Sequence, residues 1–106
     1  MAHTYKNSKV DLTATTVTTV YTVPTATTSI VKSILVSDDS GSGDTITLTI
    51  TNGSDVFSLF KTKSIGANGT SELLAAPLVL TAGEILKATA ATADRLHIVC
   101  SYLEIT

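Results

Sequence analysis

Residues 45–51 read Thr-Ile-Thr-Leu-Thr-Ile-Thr, an unbroken alternation that sorts onto two chemically distinct faces only in a β-strand. Ile46, Leu48 and Ile50 leave one face, and the threonines leave the other. Such a strand covers a core on one side and meets solvent on the other, as antiparallel sheets do. The β-rich run Ser29 to Ser37 precedes it across Asp38-Asp39-Ser40-Gly41-Ser42-Gly43-Asp44, a loop with no apolar residue. Two such runs around a polar Ser/Gly loop predict a hairpin.

The rest of the chain repeats that chemistry. Threonine makes up roughly a fifth of it, well above ordinary usage. The branched Cβ favours strands, and the hydroxyl keeps an exposed face wet without charge. Tryptophan is absent, so Val, Ile, Leu and Ala must fill the interior. At 106 residues the chain is expected to be one domain with one core.

Residues 1–9 are polar and are expected to form a flexible or interface-forming N-terminal arm, or a short edge strand. Residues 10–23 read as one or two Thr-rich strands ended by Pro24, which cannot donate to a ladder. Asn52-Gly53 and Asn68-Gly69 are turn signals. Between and after them lie strands over 56–63, 85–90 and 95–105, with Pro77 breaking the apolar run Leu73–Leu80. Ser71–Ala76 has room for a single helical turn. About seven or eight short strands predict an all-β fold: a single antiparallel β-sandwich or jelly roll.

Two strands are apolar on both parities, whereas a sandwich strand needs only one apolar face. The surplus is Val31 and Leu35 in one, and Val99, Leu103 and Ile105 in the other. Either the protein's own loops and arm cover these side chains or another subunit does. We take them as candidate interface residues.

Catalytic and ligand chemistry is sparse. His3 and His97 have no carboxylate or nucleophile at a recognisable spacing. Cys100 lies among apolar neighbours, where a cysteine behaves as a small hydrophobe. Asp38, Asp39 and Asp44 surround the Ser/Gly loop and are the candidate metal ligands, although their spacing is not that of an EF-hand and no metal is assigned. No cofactor is expected, since phosphate-cradling glycine loops and paired cysteines are absent. Seven scattered basic residues and a net charge of −2 leave no footprint for nucleic acid. One cysteine excludes an intrachain disulfide and fits a reducing cytoplasm. The N-terminus lacks a signal-peptide pattern, and no apolar run approaches the ~20 residues of a membrane span, so a soluble protein with no membrane partner is expected. The two Asn-Gly-Ser/Thr sequons therefore read as turns.

Three stretches, Thr19-Val20-Tyr21-Thr22-Val23-Pro24, Ile30-Val31-Lys32-Ser33-Ile34-Leu35-Val36 and Leu78-Val79-Leu80-Thr81-Ala82-Gly83-Glu84, carry a family likeness. With Tyr5-Lys6-Asn7 and Val99-Cys100-Ser101-Tyr102-Leu103-Glu104-Ile105, the chain resembles small virion structural proteins of tailed bacteriophages, of the marine phage and cyanophage type. The resemblance implies a non-enzymatic capsid decoration (cement) protein or a small tail or baseplate component. It implies a homo-oligomer whose partners are copies of itself and other virion proteins, capsid or tail, in a virion assembled in the host cytoplasm. The alternative is a receptor- or glycan-binding module on the particle, which would need an exposed cluster including Tyr5, Tyr21 or Tyr102, or a metal at the three aspartates.

Overall fold

Nine strands make up the fold, and the described residues contain no helix; the computed structural model describes residues 2–106. In chain order they are β1 (His3–Leu12), β2 (Thr18–Thr22), β3 (Thr28–Asp38), β4 (Asp44–Asn52), β5 (Asp55–Ile65), β6 (Thr70–Glu72), β7 (Leu78–Leu80), β8 (Ile85–Ala90) and β9 (Leu96–Ile105). One sheet runs β1-β9-β3, with β6 and β7 both on the far side of β3; the other runs β2-β8-β4-β5. Every pairing is antiparallel. The expected antiparallel sandwich is what forms, with β6 and β7 as two pieces of one broken edge. Pro77, which has no N–H to give a ladder, lies in the break.

Only the β4–β5 hairpin and the β6–β7 break stay within one sheet; every other connection crosses between sheets. This corrects the hairpin read from Ser29 to Thr51. β3 pairs with β9, β6 and β7, while β4 belongs to the opposite sheet. Residues 39–43 turn a corner rather than a hairpin. Asp38 builds that corner: its carboxylate accepts the Ser40 N–H at 2.8 Å, the Ser40 hydroxyl at 2.6 Å and the Gly43 N–H at 2.5 Å. Gly41 and Gly43 supply left-handed φ values of 80° and 74°. A polar Ser/Gly loop suits either geometry, so local composition does not distinguish them.

The true hairpin follows β4. Asn52 pairs with Asp55, so Gly53 and Ser54 make the turn, one residue later than the Asn-Gly signal suggests. A left-handed φ at Gly53 alone is the type II′ pattern. Of the two forms expected for residues 1–9, arm or edge strand, the edge strand is the one present: they begin β1, paired with β9 from His3↔Ile105 to Leu12↔Leu96.

The core lies between the sheets. Val31, Ile34, Val36, Leu96, Ile98 and Cys100 face Ile46, Leu48, Leu86, Ala88 and Ala90 across it. The alternation in β4 holds as predicted, with Ile46, Leu48 and Ile50 buried and the threonines half-buried on the outer face. Replacing Leu48 with Ala removes a fully buried side chain and is expected to cost about 2–5 kcal/mol in urea unfolding. Thr49→Ala, one residue along on the outer face, is expected to stay within about 0.5 kcal/mol. Equal effects would mean the strand's two faces are misassigned.

Candidate functional site

β3 carries a register shift between Val31 and Ser33. Before this bulge Ser29 and Val31 face inward; after it Ile34, Val36 and Asp38 do. Just past it, Ile34 turns its backbone toward the gap between β6 and β7, where its C=O accepts the Leu73 N–H and Glu72 accepts its N–H at 2.8 Å while also accepting the Ser33 hydroxyl and the Leu74 N–H. Burial pushes the Glu72 carboxyl up, but these hydrogen bonds outweigh it and hold the pKa below the ordinary value.

The bulge corrects one expected interface residue. Val31 is 0% exposed in the core, so it belongs to no surface. Leu35, Val99, Leu103 and Ile105 do share one outer face of the five-stranded sheet. Register places them in rows. Tyr5, Leu103, Ile30 and Val79 stand side by side across β1, β9, β3 and β7. Leu103 is only 9% exposed there, shielded in the middle of the row, while Tyr5 at its end is 75% exposed and Val79 56%. Val99 and Leu35 form a second row between Lys9 and Glu72. Ile105 lies between His3 and Thr28, and the polar Asn7, Ser101 and Ser33 separate the first two rows. Tyr5, Ile30 and Val79 were not among the expected residues. Long-range register brings them together, and only the exposed member of Leu78-Val79-Leu80 hinted at it.

Behind that face, the inward side of the sheet ends in a polar cluster. Glu104 is buried on β9, and its carboxylate takes the Lys6 ammonium at 2.8 Å and the Tyr21 hydroxyl at 2.6 Å. The Tyr21 hydroxyl also meets Ser29 at 2.5 Å, and the Tyr21 ring stacks on Tyr102 with centroids 3.9 Å apart. Tyr102 in turn meets the Ser8 hydroxyl at 3.0 Å. The hydrogen bond from Lys6, then that from Tyr21, hold the Glu104 carboxyl below its ordinary pKa; the same contact with Glu104 raises that of Lys6. Burial, then donation to Glu104, pushes the Tyr21 phenol far above its usual value. Among the described residues no buried side-chain N or O lacks a partner. Every acceptor here is occupied, so the cluster ties β1, β2, β3 and β9 together instead of holding a reactive group ready. It also removes the aromatic platform: Tyr21 and Tyr102 are buried, leaving Tyr5 as the exposed tyrosine.

The remaining candidates part company. Asp38 is consumed by its corner, where the Ser40 hydroxyl and backbone amides lower its pKa against the opposing effect of desolvation. Asp44 accepts the Thr92 N–H at 2.8 Å. Asp39 lies 3.8 Å from His97 Nδ1. The three aspartates point to three different partners, and the described residues hold no cluster of three His, Cys, Asp or Glu suited to a metal. Sequence spacing gave His97 no carboxylate, yet register and the corner supply two, since Asp11 also lies 3.2 Å from Nε2. Ser37 stands across from His97 on β3, but both ring nitrogens face carboxylates, leaving neither to activate that hydroxyl. The imidazole side chain is 40% exposed on a shallow surface beside Lys9 and Val99. Cys100 is sealed in the core, and burial, aided by the charge of Glu72, pushes its thiol up to about 12.

No family model matches the chain, and no curated protein matches it. Among solved structures, it is similar to a chain of the Bacillus endospore appendages, described as a novel family of disulfide-linked pili: TM-score 0.58 and 12% identity over 98% of this chain and 88% of that one. Two crystal structures of a pentameric capsid protein isolated from metagenomic phage sequences give a TM-score of 0.45 and 20% identity over 92% of this chain. The chain spans 59% and 60% of the length of those capsid chains. At 12% identity the likeness to the endospore appendage chain is one of fold alone.

A carboxyl held below its ordinary pKa stabilises the fold above that value and loses the contribution as pH falls through the lowered one. Glu104 and Glu72 therefore predict stability that is flat near neutrality and falls in acid below about pH 4.5. Glu104→Gln is expected to lower neutral-pH stability by about 1–3 kcal/mol and to flatten the acid fall, read by urea titrations across pH. An unchanged acid slope would show that Glu104 does not carry it.

Proposed function

We propose that this chain is a non-enzymatic structural subunit of a bacteriophage virion, acting as a capsid decoration protein or a small tail or baseplate component. It assembles with copies of itself and with neighbouring virion proteins through the outer face of the five-stranded sheet. The row Tyr5–Leu103–Ile30–Val79 carries this reading, since an apolar row open at both ends on an otherwise polar face favours burial against another chain. Ile105 adjoins it, and Leu35 and Val99 form a second apolar pair beyond the polar row. The strand order supports a jelly-roll wrapping, β1-β9-β3-β6/β7 over β2-β8-β4-β5, with the hairpin between β4 and β5. The resemblance of the sequence to phage virion proteins supports the particle as the location. Disulfide linkage, named for the Bacillus pili, does not carry over, because the single cysteine is buried.

Co-sedimentation with purified phage capsids and with purified tails tests the reading. Binding to one of them is expected, weakened at least tenfold by Val79→Asp or Leu35→Asp while thermal unfolding stays near that of the parent. No binding to either particle, from a chain that is a monodisperse monomer by light scattering, would overturn it.

A further inference from the structure

Three of the four lateral edges of the sandwich are irregular. β2 is short and shifts register between Thr19 and Tyr21. β6 and β7 leave a gap beside β3. β5 shifts register twice against β4, and Thr62 within it takes a left-handed φ of 50°. β1 differs: it pairs with β9 over ten residues with no register shift, and among the described strands none lies on its other side. Long regular free edges are what β proteins ordinarily blunt, because they template pairing with another chain.

The phase of that edge is fixed. Ala2 and Thr106 exchange two backbone hydrogen bonds of 3.0 Å, and bonded and non-bonded pairs alternate along an antiparallel ladder. Thr4, Lys6, Ser8 and Val10 thus direct their backbone groups to β9, whereas His3, Tyr5, Asn7 and Lys9 present theirs to the open side.

We propose that this edge pairs with the same edge of a second copy, antiparallel about a two-fold axis at Asn7, making one continuous sheet from two five-stranded ones. The inference rests on the reading of the chain as a self-assembling subunit and names its partner and register. Charge complementarity selects the register. Centred on Asn7, Tyr5 meets Lys9, His3 meets Asp11, Lys6 meets Ser8 and Asn7 meets itself. An ammonium then lies beside a phenol ring, an imidazole beside a carboxylate and an amide beside an amide. Centring on Lys6 or Lys9 sets two ammonium groups face to face. Centring on Ser8 carries His3 past Leu12, the last residue of the partner strand. The interface is isologous and closes at two copies, leaving the outer face of each sheet open to a further partner.

Asn7→Cys tests the register directly, because the axis sets position 7 against itself at about 5.5 Å between Cα atoms, within disulfide reach. Mild oxidation is expected to give a covalent dimer from Asn7→Cys and none from Tyr5→Cys; Cys100, buried, does not compete. Asn7→Pro deletes an N–H on the open side only, where an edge strand tolerates proline, and is expected to shift the sedimenting species from dimer to monomer. Equal cross-linking at positions 5 and 7, no cross-linking at 7, or an Asn7→Pro chain that sediments like the parent would overturn the pairing. Val79→Asp lies outside this edge, so loss of particle binding there with the dimer intact separates failure of one inference from failure of the other.

Discussion

The bulge in β3 decides which side of the main sheet is interior. An inserted residue at Lys32–Ser33 reverses the parity of the strand, so Val31 and Ile34, three positions apart, both reach the core. Without it, the strand would have to bury either Val31 or the set Ile34 and Val36, and would present the rest to water. Just beyond the bulge, Glu72 fills the gap between β6 and β7 and accepts the Ile34 amide that faces it.

Acidic groups do similar work elsewhere in a chain with few charges. Asp38 gathers the amides of a sheet-to-sheet corner, and Glu104 joins Lys6 and Tyr21 at the other end of the inward face. Each carboxylate replaces lost hydration with several donors, which is the condition for keeping such a group inside. The hydroxyl-rich strands need little else to stay wetted, and the apolar outer row stands out against them.

Local pattern made part of this visible in the sequence. The alternation of residues 45–51 marked β4 and its buried face, and turn residues marked most strand ends. The surplus apolar residues of β9 lie on its outer face, but in β3 only Leu35 does, since the bulge turns Val31 into the core. What stayed hidden depends on contacts distant along the chain. The parity change in β3 has no signature beyond a lysine among aliphatics, and the corner at residues 39–43 has the composition of a hairpin tip. His97 gained Asp11 only through the β1–β9 register, and Tyr21 and Tyr102, read as candidate surface aromatics, stack inside because β2 closes over β9. The polarity of β1 left arm and edge strand equally open, because its inward side carries Thr4, Lys6 and Ser8, an order suited to a carboxylate and a phenol rather than to a greasy interior.

β9 occupies the middle of its sheet, between β1 and β3, yet it follows both in the chain. A ribosome delivers the two flanking strands well before the one that joins them, so neither can complete its ladder until synthesis has passed residue 105. Until then β1 and β3 each lack the strand that separates and joins them. The order of the chain therefore makes β9 a keystone: the sheet closes only by inserting it between two strands that precede it.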